Sequence, residues 1–479
     1  MSRYAYERLT ALDNTFLVFE SANTPMHVAS AAIFDAAPLR TPDGGVDIER
    51  ILRHVESRLH RLPRYRERLA YIPIENHAVW VDDERFNLHY HVRHTSLPRP
   101  GSERQLKRLC ARILSQQLDR GKPLWEMWVV EGVEGDRLAL ITKVHHCMVD
   151  GISGVDLITT LLSSEPQTEI PEPARWIPRP TPTPAELLRD EIATRMRAPL
   201  GLLGWLASDP LSLLAKVRGG LSAVGEVLRG VTHFGSETPL NQPIGPHRRF
   251  DWLSMDLGTL REVRERLGGT LNDTVLAIVA GAVRRFLQQR NVDLRTIDFR
   301  AFVPVNVRSV ETRDAIGNQV AGWIIDLPIA EAQASRRHAL VRTTTEGAKH
   351  SQQARGSQIL TEAADWTGPA VVGLVARLAE TALPFNLVVT NVPGPQQPLF
   401  LLGARLAEAY PMVPLFVNQG LGIALFSNAG RLFWGFNADW DVVPDLHELV
   451  EAISQSFEEL CAAPAVTPKP ASRRRRRAA

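Results

Sequence analysis

Two adjacent histidines, followed by an acid and a glycine, are the part of the sequence best suited to chemistry. The pattern is His145-His146-x-x-x-Asp150-Gly151. A neutral imidazole can remove a proton from a hydroxyl while that oxygen attacks a carbonyl. An aspartate across a turn can fix the backbone or the ring without reacting itself. Chance produces these four positions together with a probability on the order of one in a thousand, so we predict general-base catalysis.

The elements around this motif would hold the histidines in place. The apolar run Leu138–Val144 predicts a strand, and Val155–Leu162 predicts a helix that begins after a glycine turn. Reactive side chains are often found at strand ends, because a rigid strand aims them while the turn leaves them open to substrate. The alternative is a histidine pair at a strand end that has no catalytic role.

Other stretches of the chain, taken together with the histidine motif, resemble one protein family. The motif is the signature of CoA-dependent acyltransferases and condensation domains with the chloramphenicol acetyltransferase fold. Further stretches resemble the bacterial wax ester synthase/acyl-CoA:diacylglycerol acyltransferase branch of that fold. These stretches are Leu9–Asp13, Pro25–Val28, Pro123–Trp125, Leu271–Asp273, Val303–Arg308 and Asn391–Pro395. They extend over nearly the whole chain, in the order and spacing of that branch.

The resemblance implies a fold and a reaction. The fold would be α/β, with two chloramphenicol acetyltransferase-like domains of mixed sheet and helices and the active site at the domain interface. The reaction would move a long-chain acyl group from acyl-CoA to diacylglycerol, which forms triacylglycerol, or to a long-chain alcohol, which forms a wax ester. His146 would be the general base, because the H-x-x-x-D element shared across the fold counts from it.

The resemblance also implies a set of site residues. The expected catalytic residues are His146, His145, Asp150, Gly151 and Asn272. The expected substrate-binding residues are Trp125, Thr390 and Asn391. Asn272 would donate to the oxyanion, with Thr390 behind it, and Asp150 would form a structural ion pair with Arg308. Acyl-CoA would be a co-substrate, and neither a permanently bound cofactor nor a metal is expected.

Some of these residues also have a simpler interpretation. Asn272 stands at the start of a predicted helix, where asparagine is a preferred cap. Trp125 lies on a predicted strand whose two tryptophans are typical of a core. Met26 and His27 could line a substrate channel, although core packing is the simpler role for both.

Composition indicates a soluble globular protein. A length of 479 residues predicts two domains, and 44% hydrophobic with 23% charged residues is ordinary for that class. A net charge of +2 gives no support for a nucleic-acid partner. Three scattered cysteines, Cys110, Cys147 and Cys461, are too few for a disulfide framework or a zinc site, which fits a reducing compartment. We expect Cys147 to point away from His146 and not to act as a nucleophile.

The apolar and proline-rich stretches, together with what the family resemblance implies, predict four segments. They are an N-terminal acyltransferase domain at 1–184, a helical connector at 185–238, a C-terminal acyltransferase domain at 239–462 and a basic disordered tail at 463–479. The boundary near residue 184 follows the proline-rich linker Pro166–Pro184. The second half repeats the α/β composition of the first without repeating the histidine motif.

Several features bear on location. No run of eighteen apolar residues exists, and the N-terminus lacks the apolar core of a signal peptide. The apolar segment Pro199–Val231 is either a connector packed on both domains or a surface helix that dips into lipid. The arginines at 473–477 either form a solvated tail or are attracted to anionic lipid. We predict a cytoplasmic protein in peripheral contact with a membrane or lipid droplet.

Two alternatives to this function remain. One is another acyl transfer on the same fold, such as a condensation that takes its acyl group from a carrier protein. The other is a catalytically silent lipid-binding member of the fold. The intact His146 and Asp150 disfavour the silent member, and the lipid-branch stretches outside the histidine motif disfavour the carrier-dependent reaction.

Local patterns predict further elements. Strands are expected at Val28–Phe34, Phe86–Val92 and Trp252–Leu257, and a long core helix at Thr274–Gln289. A hairpin is expected around Asn428-Ala429-Gly430.

Overall fold

A computed structural model of the chain describes residues 6–75, 77–148, 156–193, 235–306, 320–350 and 384–464. The strands are β1 Glu7–Arg8, β2 His27–Asp35, β3 Glu67–Tyr71, β4 Ala78–Asp82, β5 Val92–Ser96, β6 Trp125–Val133, β7 Arg137–His145, β8 Arg248–Asp256, β9 Arg300–Asn306, β10 Val320–Asp326, β11 Leu387–Pro393, β12 Phe400–Leu401, β13 Ala404–Met412, β14 Leu421–Asn428 and β15 Arg431–Asp439. The helices are α1 Ala11–Phe19, α2 Ile48–Arg58, α3 Leu88–His91, α4 Glu103–Ser115, α5 Asp156–Leu161, α6 Leu257–Leu267, α7 Leu271–Gln289, α8 Ala334–His350 and α9 Leu446–Ala462.

The first six-stranded sheet carries the histidine motif near its centre. Its strand order is β12-β13-β2-β7-β6-β5, and all neighbours are antiparallel except β5 and β6. β7 is buried from Leu138 to His145, which is typical of a strand covered on both faces. The strands predicted at Val28–Phe34 and Leu138–Val144 are thereby confirmed.

One strand of this sheet comes from the far end of the chain. β13 pairs antiparallel with β2, so that Tyr410 lies opposite Ala31. The Tyr410 ring stacks on Trp252 of β8 with ring centroids 4.6 Å apart, and meets Phe433 of β15 edge to face. The C-terminal half therefore completes the first sheet. The predicted boundaries of the segments stay a prediction.

The second sheet has the order β10-β9-β11-β14-β15-β8. β14 and β15 form the predicted hairpin, and positive φ at Ala429 and Gly430 gives the tight two-residue turn. Helix α7 is buried along most of its length and packs between α8 and α9, as its apolar sequence predicts. Its N-cap is Thr270, whose side chain accepts from Asp273 N–H, while the Asp273 carboxylate accepts from Thr270 N–H.

The strand predicted at Phe86–Val92 is wrong. Residues Leu88–His91 form a single helical turn, and the strand begins only at Val92. The alternation of apolar and polar residues here also fits a turn in which Asn87 accepts from His89 N–H and the His91 ring stacks on Phe86. Tertiary packing of His91 decides between the two patterns, because its Nδ1 lies 2.8 Å from Trp125 O.

Candidate active site

The two histidines of the motif lie where β7 ends. His145 is the last residue of the strand and stands opposite His27 of β2. His146 begins a short 3₁₀ turn, and its backbone N–H donates to Met26 O at 2.8 Å. The strand end is fixed by two neighbouring strands, so the step from His145 to His146 moves the chain from a buried strand to a half-exposed turn.

His145 is locked inside a polar cluster. Its Nδ1 accepts from Cys147 N–H at 3.1 Å, which leaves its Nε2 to carry the proton. That Nε2 lies 3.5 Å from Glu20 Oε1, and His27 Nε2 lies 3.2 Å from the same oxygen. All three side chains are essentially excluded from solvent. His145 is therefore enclosed with its Nε2 directed at Glu20 and is not free to act as the base.

Glu20 carries the charge of this cluster. Burial would raise the pKa of Glu20, but hydrogen bonds from His145 and His27 lower it overall. Arg120 donates to Glu20 Oε2 from Nη2 at 2.8 Å and from Nε at 3.0 Å, a two-pronged ion pair. Burial lowers the pKa of His27 to about 4, against the partial opposition of Glu20. At neutral pH the cluster therefore contains ionised Glu20, cationic Arg120 and neutral His27.

His146 has a different environment. Its ring stacks on Phe16 of α1, with ring centroids 3.8 Å apart and an angle of 21° between the planes. Burial of the ring, and secondarily the nearby His145, lowers the pKa of His146 to about 4. The ring is neutral at physiological pH, so a lone pair is available to accept a proton. Its Nδ1 is buried and has no hydrogen-bond partner among the described residues.

Cys147 packs away from reactive chemistry. Its side chain belongs to a small apolar cluster with Leu9, Leu17 and Trp80. Burial is the main cause that raises the pKa of the thiol well above its usual range. A thiol that stays protonated is a poor nucleophile. This environment supports the prediction that Cys147 does not react, which stays a prediction.

Trp125 has the environment of a core residue. It is fully buried, and its indole N–H donates to Tyr65 O at 2.8 Å. Its ring stacks on His91, with centroids 4.6 Å apart. These contacts support the packing role that the sequence left open, and contact of Trp125 with substrate stays a prediction.

The expected residues of the second half are partly accessible. Asn272 is half-buried in the first turn of α7, so it is not the cap. Thr390 and Asn391 are half-buried neighbours in β11, and successive side chains of a strand point to opposite faces. At most one of the two can therefore face a given substrate. No hydrogen bond within the described residues joins any of the three to His146.

Three expected site residues lie outside the described residues. They are Asp150, Gly151 and Arg308. The predicted Asp150–Arg308 ion pair therefore stays a prediction. The apolar segment Pro199–Val231 and the arginines at 473–477 also lie outside the described ranges.

The acid and the cation behind the motif, Glu20 and Arg120, are not among the site residues predicted from the sequence. Glu20 follows the apolar run Phe16–Phe19, and a charged residue there was a signal of a buried partner. Arg120 lies in the loop after α4 and carries no sequence signal of its role. His27 was considered only for channel lining or core packing, and its burial between strands confirms the core position.

Two further properties of the described ranges concern metal binding and membrane crossing. In the ranges that the structure describes, no group of three or more histidine, cysteine or acidic residues is arranged to hold a metal ion. Across the same ranges, no helix combines the length and apolarity needed to cross a bilayer.

Comparison with protein families matches both halves of the chain. Residues 9–275 match the wax ester synthase/diacylglycerol acyltransferase catalytic domain, and residues 316–461 match the WS/DGAT C-terminal domain. A Mycobacterium tuberculosis protein named as a diacylglycerol O-acyltransferase is 32% identical over 471 residues, which cover 95% of this chain and 90% of that protein. A second protein of that organism with the same activity in its name is 30% identical. The match covers 95% of this chain and 96% of that protein.

Solved structures agree with the fold. The wax ester synthase/diacylglycerol acyltransferase from Marinobacter aquaeolei VT8 is 26% identical, with a TM-score of 0.66 and coverage of 95% of this chain and 98% of that one. The first condensation domain of the CDA synthetase is 16% identical with a TM-score of 0.58, which shows the shared fold alone. The predicted α/β, chloramphenicol acetyltransferase-like fold is thus confirmed. The chain belongs to the wax ester synthase/diacylglycerol acyltransferase family and is an acyltransferase of that family.

Proposed function

We propose that this enzyme transfers a long-chain acyl group from acyl-CoA to the hydroxyl of diacylglycerol or of a long-chain alcohol, with His146 as general base. The observation that carries this proposal is that the two histidines have different surroundings. Neutral, half-exposed His146 is available at the turn, whereas His145 is held by Glu20. The curated relatives are named for diacylglycerol, which favours that acceptor over an alcohol.

The reaction needs one base and no covalent enzyme intermediate. His146 takes the proton of the acceptor hydroxyl while the oxygen attacks the thioester carbonyl, and the proton then passes to the departing CoA sulfur. The new ester bond replaces the carbon–sulfur bond. A pKa of about 4 makes His146 a weak base in the resting protein, so the developing positive charge on the ring must be stabilised as the proton arrives.

The surrounding residues have supporting roles in this scheme. Glu20 and His27 fix His145, which fixes the backbone from which His146 projects. Asn272 is the proposed oxyanion donor with Thr390 behind it, and Asp150 pairs with Arg308 to fix the turn. The two domains bring both substrates together at their interface.

We also propose peripheral contact with a membrane or lipid droplet in the cytoplasm. Both lipid substrates partition into such phases, and the apolar Pro199–Val231 segment suits an interface. The protein should pellet in part with lipid and be released without detergent. Extraction that requires detergent, or a wholly soluble protein with lipid present, would contradict this.

An assay with labelled long-chain acyl-CoA tests the function. Purified protein is incubated with diacylglycerol, with a long-chain alcohol, or with a short-chain water-soluble alcohol, and the labelled products are separated. We expect labelled triacylglycerol or wax ester. Activity confined to the short-chain acceptor, or transfer only from a carrier-bound acyl group, would overturn the proposal, and absence of any transfer would favour a silent lipid-binding protein.

A further inference from the structure

A basic cleft of about 940 Å³ lies between α4, the start of β8 and the start of α9. Its cationic lining is Arg104, Lys107, Arg108, Arg112, Arg248 and Arg249. The lining carboxylates are Glu103 and Asp251. Two of the six cations are balanced by these carboxylates and Arg248 pairs with buried Asp439, so three positive charges remain in excess, although the whole chain carries a net charge of only +2.

Three arginines of the cleft are exposed and lack a counter-charge. Arg104, Arg108 and Arg112 recur every four residues, so they share one face of α4. Within the described part of the chain, none of them makes an ion pair. Like charges at this spacing repel one another by about 0.2–0.5 kcal/mol per pair. The row of arginines does not stabilise the fold electrostatically. It is therefore suited to binding an anion that is not part of the protein.

The carboxylates of the cleft are already neutralised. Lys107 Nζ lies 2.5 Å from both Glu103 Oε1 and Asp251 Oδ1. His447 Nδ1 lies 2.9 Å from the other oxygen of Asp251. Because these contacts satisfy the acids, they do not compete with a ligand for the arginines on α4.

An aromatic face stands at the same cleft. The guanidinium of Arg249 lies 3.7 Å from the centroid of the Trp440 ring and donates to Trp440 O. The Trp440 side chain is 44% exposed. A large exposed ring beside unpaired guanidinium groups offers a flat surface for an aromatic base next to a phosphate site.

The inner end of the cleft adjoins the support of the histidine site. Buried Arg248 donates from its backbone N–H to Ser115 Oγ at 3.1 Å and from its side chain to Asn23 O, in the loop before His27. Gln116, the residue after Ser115, accepts from Lys143 Nζ at 2.9 Å, two residues before His145. These contacts join the inner end of the cleft to β7, the strand that ends at His145.

We propose that this cleft binds the phosphate groups of the acyl-CoA nucleotide, with Arg104, Arg108 and Arg112 as the phosphate ligands. The inference rests on the proposed function, because it takes acyl-CoA as the donor. Guanidinium groups bind phosphate oxygens through paired hydrogen bonds. The three arginines span about 12 Å along α4, since each helical residue rises about 1.5 Å, and that length suits a ligand with more than one phosphate.

Calorimetric titration with CoA and with adenosine 3′,5′-bisphosphate tests the site directly. The double variant Arg108→Gln/Arg112→Gln should raise the Kd for both ligands roughly tenfold or more, because it removes two charge-assisted contacts. The matched control is Arg295→Gln, an exposed arginine in another part of the fold, which should bind as the unaltered protein does. Unchanged affinity in the double variant, with an unchanged melting temperature, would overturn the proposal.

Two more measurements identify the ligand and separate this inference from the proposed function. In steady state, the double variant should raise the KM for acyl-CoA and leave that for the alcohol acceptor unchanged. If it instead loses binding to phosphatidylglycerol vesicles while keeping its affinity for CoA, the cleft is a headgroup site and the proposal is wrong. Arginine-dependent CoA binding by a protein that transfers no acyl group would defeat the proposed function but not this site.

Discussion

The cluster of charges around Glu20 and the row of arginines on α4 differ in whether the protein itself supplies the opposite charge. Around Glu20, two histidines and Arg120 surround one carboxylate, and the cluster is closed to solvent apart from the partly exposed Arg120. Along α4, three exposed arginines face a cleft whose two carboxylates, Glu103 and Asp251, are already bound by Lys107 and His447. A closed cluster positions the residues next to it, whereas an open one is suited to a ligand.

The largest effect is expected at His146, the half-buried proposed base next to the closed cluster. His146→Ala should raise the activation free energy by about 3–5 kcal/mol, the loss of a general base and its geometry. Its melting temperature should change little. His145→Ala should cost clearly less activity but lower the melting temperature, because it opens the Glu20 cluster. Equal activity of the unaltered protein and His146→Ala would remove the mechanism.

The next largest effect is a difference in the free energy of unfolding between variants of the two clusters. Glu20→Gln should lower the free energy of unfolding by about 3 kcal/mol, because it leaves Arg120 without a counter-charge and weakens the hold on His27 and His145. Arg112→Gln should leave that free energy unchanged or raise it slightly, because it removes a repulsion. Chemical denaturation of both variants measures the difference. Equal losses would show that the α4 arginines have a structural role.

The closed cluster should also make stability depend on pH. Because burial lowers the pKa of His27 from 6.5 to about 4, the unfolded chain binds a proton over that range that the folded protein does not. Stability is therefore complete above pH 6.5 and falls towards pH 4, by up to about 3 kcal/mol. Glu20, with its lowered pKa, adds a loss that begins near its usual value of 4.5. Burial also lowers the pKa of His146 to about 4. This residue therefore likewise makes the folded protein less stable as the pH falls below 6.5.

Melting temperatures at several pH values measure this dependence. The variant His27→Asn should show a shallower slope between pH 6.5 and 4 than the unaltered protein. Arg108→Gln should keep the original slope, because it leaves the Glu20 cluster intact. A slope unaffected by His27→Asn would mean that another group controls the acid sensitivity.

The smallest effect is expected beside the base. Cys147→Ala should keep most of the activity and cost about 1 kcal/mol in stability, the loss of a buried sulfur from a small apolar cluster. Turnover and denaturation of this variant check both values. An acyl group trapped on the sulfur would replace direct transfer by a two-step mechanism.

The periodicity of apolar residues and the turn residues were sufficient to predict elements whose structure is determined by neighbouring residues in the sequence. The strand at Leu138–Val144, the core helix beginning near Thr274 and the Ala429-Gly430 turn are fixed by neighbours along the chain. The cluster behind His145 was not predictable in this way, because Glu20 and Arg120 are separated by a hundred residues and meet only in the folded protein. Asn272 shows a third case, in which Thr270 is the cap and the asparagine stays free for another role.

The placement of β13 in the first sheet has a consequence for synthesis on the ribosome. β2 and β7 can pair once residue 145 has been synthesised. The other edge of β2 pairs with β13, whose residues 404–412 are synthesised much later. During that interval the backbone groups of β2 present an open edge, the kind that pairs with other chains. A fragment ending near residue 239 would keep that edge permanently, so the histidine-bearing half should be produced with its C-terminal half to stay monomeric.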